Sequence, residues 1–264
     1  MDHMSAMQLV HEAQAAGGNV VSFKSVCGGL PAPEAANNPL RYKFSWSPRG
    51  VLSAAMNSSK YIEGGEVREV DGSSLLANAF PFHGISTLAL EQLPNRDSTP
   101  YREAYGLQTA HTVYRGTLRY RGTCDRLLAL QTLGLLDDSA LSSTLSSSWD
   151  ALLPPDQATA FYGDCTDEQR ETLQWLKNSC DQLEPVPGEQ HESKLDCLGV
   201  LLARLPALQY KPGERDMAAM QHELLVEYDA YAAAAAGLST TGQSVVEKKT
   251  SQLLLYHLRL FIRP

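Results

Sequence analysis

Residues 111–136 read HTVYRGTLRYRGTCDRLLALQTLGLL, and the change of pattern inside this stretch decides the fold. Up to Gly122 the β-branched and aromatic residues predict a strand. From Asp125 the leucines recur at helical spacing. A sheet therefore hands over to a helical block here. The helical pattern continues to about Leu208 through SWDALL, DEQRETLQWLKNSCDQL and SKLDCLGVLLARL. Thr166 and Gln169 stand at the spacing of a capping box at the head of one of these helices. The segment EPVPGEQHES, residues 184–193, predicts a solvated linker.

Outward from this junction the chain alternates strands with loops. Residues 5–16 predict a helix with Met4, Met7 and Val10 on one face and Gly17-Gly18 as its stop. NVVSFKSV, residues 19–26, follows as a strand. CGGLPAPEAANNPL, residues 27–40, predicts a loop of the Gly/Pro/Asn kind that often carries function. RYKFSWS reads as either a short strand or an aromatic loop. Residues 50–61 predict a helix, GGEVREVDG a strand between turns, and STLALEQL (residues 86–93) another strand, which places both arginine motifs described below on or beside sheet edges. After KPGERD the strand pattern returns, with Met220, His222, Leu224, Val226 and Tyr228 on one face and Leu225 breaking the other. VVEKKTSQLLLY predicts a partner strand closing a hairpin, and AYAAAAAGLSTTGQ a low-complexity tip. The pattern as a whole is α+β: a mixed, largely antiparallel sheet covered by helices, with an all-helical insertion.

Composition narrows the function classes. The 264 residues, 43% of them hydrophobic, suffice for a sizeable core. A net charge of -8 argues against nucleic-acid and anionic-membrane partners, which select a basic footprint. No apolar run approaches the roughly 20 residues of a membrane span, and the start has no secretory pattern. Cys27, Cys124, Cys165, Cys180 and Cys197 form an odd set without C-x-x-C, so reduced thiols and a cytoplasmic setting are expected rather than a disulfide framework or zinc site. Neither phosphate-cradle motif occurs, nor H-E-x-x-H, nor G-x-S-x-G. His222-Glu223 is half a zinc motif in a strand pattern, and no metal is expected.

LPNRDST, residues 93–99, and YRGTLRY, residues 114–120, set Arg96, Arg115 and Arg119 among Asn, Thr and Tyr donors. Guanidinium groups mixed with neutral donors suit a ligand bearing carboxylates, which the planar fork grips through two hydrogen bonds. The competing reading is structural: arginines paired with Asp97 and Glu103. On these residues alone both stay open.

SVCGGLPAPEAANNPLRYKFSWSPRGVL, LPNRDST, RGTLRYRG and ERDMAAMQHE occur in that order. Together they resemble saccharopine dehydrogenase of the L-glutamate-forming type, over about residues 2–228. The wording PFHGISTLALEQLPNRDS leans towards the C-terminal part of the bifunctional lysine-degrading enzyme of plants and algae. The resemblance implies oxidation of saccharopine with NAD or NADP and water to glutamate and 2-aminoadipate semialdehyde, in lysine metabolism, by a homodimer. It implies that Arg96, Thr117, Leu118 and Arg119 bind substrate, that Cys27 approaches it, and that Trp46 lies near the cofactor. Packing roles for Cys27 and Trp46 stay open, and Arg115 is expected to be a structural ion-pair partner.

The family's Rossmann domain is split around the substrate domain, and most of it is expected to be missing here. Asp2 and His3 match the last two residues of a D-P-G-x-D-H segment, and HLRLFIRP departs from the family's return into the nucleotide domain. The implied division is 1–18, the end of a nucleotide-binding half; 19–122, the first part of a substrate-binding and dimerisation domain; 123–212, the helical insertion; and 213–264, the second part with an aberrant C-terminus. A fragment inactive alone is expected; a non-catalytic dimerisation or dicarboxylate-binding fragment is the alternative.

Overall fold

The computed structural model describes residues 2–229 and 250–262. The strands are β1 (Asn19–Pro31), β2 (Ser59–Glu63), β3 (Glu66–Val70), β4 (Phe80–Phe82), β5 (Leu90–Pro94), β6 (Thr112–Tyr120), β7 (Leu145–Ser146), β8 (Gln190–His191), β9 (Asp216–Asp229) and β10 (Thr250–Ile262). The helices are α1 (Asp2–Ala15), α2 (Pro48–Ala54), α3 (Tyr101–Ala104), α4 (Thr123–Thr132), α5 (Trp149–Leu152), α6 (Pro155–Tyr162), α7 (Asp167–Cys180) and α8 (Lys194–Arg204).

Eight strands form one sheet in the order β10-β9-β1-β6-β2-β3, with β5 also on β6 and β4 on β5. Among the described strand ladders only β1 with β6 is parallel. The mixed, largely antiparallel sheet expected from the sequence is therefore present. The α4–α8 block follows β6 directly, and the capping box at Thr166 and Gln169 opens α7.

Several local expectations are corrected. The loop placed at 27–40 begins later, because Cys27 through Pro31 remain in β1. Cys27 pairs with Thr117 on one side and Met220 on the other, and the β9 ladder runs on through Gly28 and Gly29 to Pro31, outweighing the weak strand preference of the two glycines. The helix at 50–61 ends at Ala54. Ser59–Glu63 instead pairs with β3 across a turn in which Gly64 and Gly65 take φ of 61° and 86°. The strand placed at 86–93 begins at Leu90, RYKFSWS is a loop, and the 184–193 linker contains β8, paired with β7. Thr250–Tyr256 pairs with β9 as the hairpin expectation has it, and the AYAAAAAGLSTTGQ tip lies outside the described residues.

The largest correction concerns the arginine motif of β6. It lies inside the sheet, with β1 on one side and β2 and β5 on the other, and not at an edge. Alternation along β6 then sorts its side chains. Leu118 and Tyr120 join Val26, Leu30 and Leu90 in the core on one face. Val113 joins Phe23 beneath Ala6, Leu9, Val10 and Ala13 of α1 on the other. Arg115, Thr117 and Arg119 continue the Val113 row past the end of α1. A third core, built from Tyr42, Phe44, Val51 and Leu52 with the leucines of the helical block, takes in Leu93 of β5. The cleft described below lies where the two covers leave a gap.

Glu91 ties the sheet to the helical block. It sits opposite Arg119 in the β5–β6 register, is 8% exposed, and accepts the backbone amides of Gly122 (2.9 Å) and Cys124 (2.7 Å) at the head of α4. These are donors that the helix itself cannot satisfy. Glu91→Gln keeps the shape but removes the charge assistance, at a cost of about 1.5–3 kcal/mol. The melting temperature should fall by about 3–12 °C in scanning calorimetry; a shift under 1 °C would show that Glu91 is not a tie.

Candidate functional site

The cleft is about 340 Å³ and is lined by all six residues named from the sequence: Cys27, Trp46, Arg96, Thr117, Leu118 and Arg119. Its floor is made by β1 and β6. Cys27 and Thr117 are neighbours in the parallel register, and the main chains run close at this point. A Cβ on Gly28 would stand 2.4 Å from the Leu118 carbonyl oxygen, so only glycine fits. A Cβ on Gly29 would meet nothing within 4 Å, so the floor beside it is open.

Arg119 is 6% exposed, and its Nε is buried without a hydrogen-bond partner. Among the described residues it forms no ion pair. Its cross-strand neighbour Glu91 is committed to two amides of the α4 head. A buried guanidinium without an acidic partner costs several kcal/mol, and a carboxylate delivered by a ligand would remove that penalty.

Arg96 is exposed and sits at φ 51°, a left-handed conformation that few non-glycine residues adopt. The loop holds it there from both sides. The Arg96 carbonyl accepts the Lys60 amide (2.8 Å), Ser98 donates its amide to the Lys60 carbonyl (2.7 Å), and Asn95 donates to the Arg115 carbonyl (2.9 Å). The structural reading paired Arg96 with Asp97. The structure gives Asp97 other partners: its Oδ1 accepts the amide and hydroxyl of Thr99, at 2.8 and 2.7 Å. Those hydrogen bonds, the hydroxyl first, hold the Asp97 carboxyl below the usual range. Arg96 forms no ion pair among the described residues.

Arg115 behaves differently, in keeping with the structural role expected of it. Its guanidinium lies 4.4 Å from the centroid of the Tyr101 ring, donates to the Tyr101 hydroxyl (2.8 Å) and faces the Asp2 carboxylate at 3.5 Å. Trp46 is 54% exposed, which overturns its reading as a core aromatic. Gly50 makes room for it: a Cβ there would come within 2.7 Å of the indole. The indole is a flat surface at the cleft, suited to stacking on an aromatic ring. The described residues offer no glycine-rich turn opening a helix, so a dinucleotide's pyrophosphate has no cradle among them, and no hydride step is derived.

Sequence reasoning missed two parts of the site. Gly28 and Gly29 were read as loop residues, although the CGG triplet ending a strand pattern marks close backbone approach. Asp2 was matched only to a motif, yet it lines the cleft beside Cys27.

The saccharopine dehydrogenase C-terminal domain family matches residues 1–258. An NADP(+)-dependent, L-glutamate-forming saccharopine dehydrogenase of Schizosaccharomyces pombe is 38% identical over 86% of this chain and 54% of its own length. The mitochondrial alpha-aminoadipic semialdehyde synthase of Bos taurus is 42% identical over 84% of this chain and 25% of its own. The solved apo saccharopine dehydrogenase (L-Glu forming) of Saccharomyces cerevisiae superposes with a TM-score of 0.74 at 36% identity, over 97% of this chain and 57% of that one. The chain thus spans about half the length of the fungal relatives it matches and a quarter of the bovine one.

All five cysteines are free thiols. Burial first, then the Asp2 carboxylate, pushes the Cys27 thiol up to about 11. A raised thiol stays protonated at neutral pH and is a poor nucleophile there. Its alkylation by iodoacetamide, followed by peptide mass spectrometry, should therefore still rise about tenfold per pH unit between pH 8 and 10. A rise that levels off between about pH 9 and pH 10 would mean that the thiol is unperturbed.

Proposed function

Because the chain belongs to the saccharopine dehydrogenase C-terminal domain family, we propose that its cleft is the saccharopine-binding half of an L-glutamate-forming saccharopine dehydrogenase. The observation that carries this reading is Arg119, a buried guanidinium with an unpartnered Nε on the wall of a polar cleft. Saccharopine bears three carboxylates. Arg119 and Arg96 supply two guanidinium forks, and Thr117 adds a hydroxyl between the arginine rows. Bidentate clamps of this kind fix a polyanion so that its reacting C–H is presented in one direction.

The reaction in this proposal is the oxidation of saccharopine with NAD or NADP and water to glutamate and 2-aminoadipate semialdehyde. The nucleotide contributes the hydride acceptor when bound; this chain contributes substrate grip and, in Trp46, a surface for the nicotinamide ring. The division at 18, 122 and 212 belongs to the same proposal, with the nucleotide's phosphates held by sequence outside this chain. A homodimer rests on the resemblance alone. The cytoplasm is the compartment expected from the sequence; the bovine relative is named mitochondrial.

Saccharopine titrated into the purified chain should bind in isothermal calorimetry, while NADH or NADPH formation stays at the blank level. Arg96→Lys keeps the charge but loses the two-point grip, so saccharopine should bind about 10- to 100-fold more weakly, the worth of one hydrogen bond to a charged group, with little change in melting temperature. Unaltered binding alongside a sharply lowered melting temperature would make Arg96 a fold support.

A further inference from the structure

The charges of the cleft are not uniform, and the register of β6 orders them. Arg115, Thr117 and Arg119 share one face of the strand, so the Cα atoms of Arg115 and Arg119 lie about 13 Å apart at roughly 3.3 Å per residue. Asn95 is hydrogen-bonded to the Arg115 carbonyl, which puts Arg96 at the Arg115 end. The only carboxylate that the described residues place on the cleft wall, that of Asp2, is at this end too, 3.5 Å from the Arg115 guanidinium. Its influence falls on Cys27 and Tyr105, whereas that of Arg119 falls on Tyr42 and Cys124 at the other end.

Asp2 is only loosely engaged. Its Oδ1 accepts the His3 amide at 2.8 Å. Its Oδ2 faces Arg115 beyond hydrogen-bond distance, and that arginine is already stacked on Tyr101 and bonded to its hydroxyl. A carboxylate beside a cation without an acidic partner, both facing one cavity, complements a group that carries an ammonium and a carboxylate on neighbouring atoms. The far end, with Arg119, complements a carboxylate alone.

We propose that Asp2 receives the ligand's ammonium nitrogen, so that Asp2 and Arg96 together recognise an α-amino-acid head group while Arg119 takes a separate carboxylate. Asp2 is then a specificity residue: it separates amino acids with a second carboxylate from plain dicarboxylates of the same length. The inference rests on the carboxylate-binding reading above and adds the sign and place of the discriminating charge.

Glutamate and glutarate carry the same two carboxylates on the same five-carbon chain, and only glutamate has the ammonium. Each is titrated into the full chain and followed by NMR chemical shifts, for the natural protein, Asp2→Asn and Asp2→Glu. The natural protein should prefer glutamate by roughly tenfold, the worth of one charge-assisted contact at a partly exposed site. Asp2→Asn should bring the ratio close to one, and Asp2→Glu should restore part of it. Glutarate binding as tightly as glutamate to the natural protein, or Asp2→Asn keeping the full preference, overturns the assignment of Asp2 alone. Binding of neither ligand overturns the carboxylate-binding reading as well.

Discussion

A guanidinium held inside the protein with no acidic partner among the described residues is the constraint on which the rest of this structure turns. Arg119 is on an interior strand, flanked by β1 and β5 and closed over by the helical block. Its cross-strand carboxylate, Glu91, is held away by two amides at the head of α4. If Glu91 were free to pair with Arg119, the cation would be neutralised internally and the cleft would hold no net attraction for an anion. The two hydrogen bonds accepted by Glu91 therefore do two things at once: they cap a helix, and they keep Arg119 available.

The parallel pairing of β1 with β6 does the geometric part. It sets Cys27 against Thr117 and runs the Gly28 backbone against the Leu118 carbonyl, with no room for a side chain between them. That close approach gives the cleft a rigid floor of main chain. Its walls are then added by separate devices: α1 begins at Asp2, the strained loop at Arg96 is pinned to β2 and β6, and Trp46 projects past Gly50. A strand carries Arg119, and main-chain hydrogen bonds fix the backbone of the loop that carries Arg96, so neither backbone position depends on a ligand to form.

Much of this was legible in the sequence, for definite reasons. The switch at residues 122–125 was visible because strand and helix periods differ, and the capping box at Thr166 because its chemistry is local. The six site residues were legible only through a resemblance carried by rare motifs; their local chemistry left structural ion pairs equally open. What was not legible depends on partners far along the chain. Nothing near Cys27 announces that Ala219 and Ala218 of β9 will extend β1 through two glycines. Nothing near Arg119 announces that β6 lies inside the sheet rather than at its edge. The exposure of Trp46 was equally hidden, since an aromatic in a loop packs inward or outward according to its neighbours, here Gly50.

A crystal structure of this chain grown with saccharopine tests the central claim most directly. The account predicts a ligand carboxylate in the cleft accepting hydrogen bonds from the Arg119 guanidinium, including its Nε, with Glu91 still bound to the amides of Gly122 and Cys124. Saccharopine bound elsewhere with the cleft empty of it, or Arg119 turned onto Glu91, would contradict it.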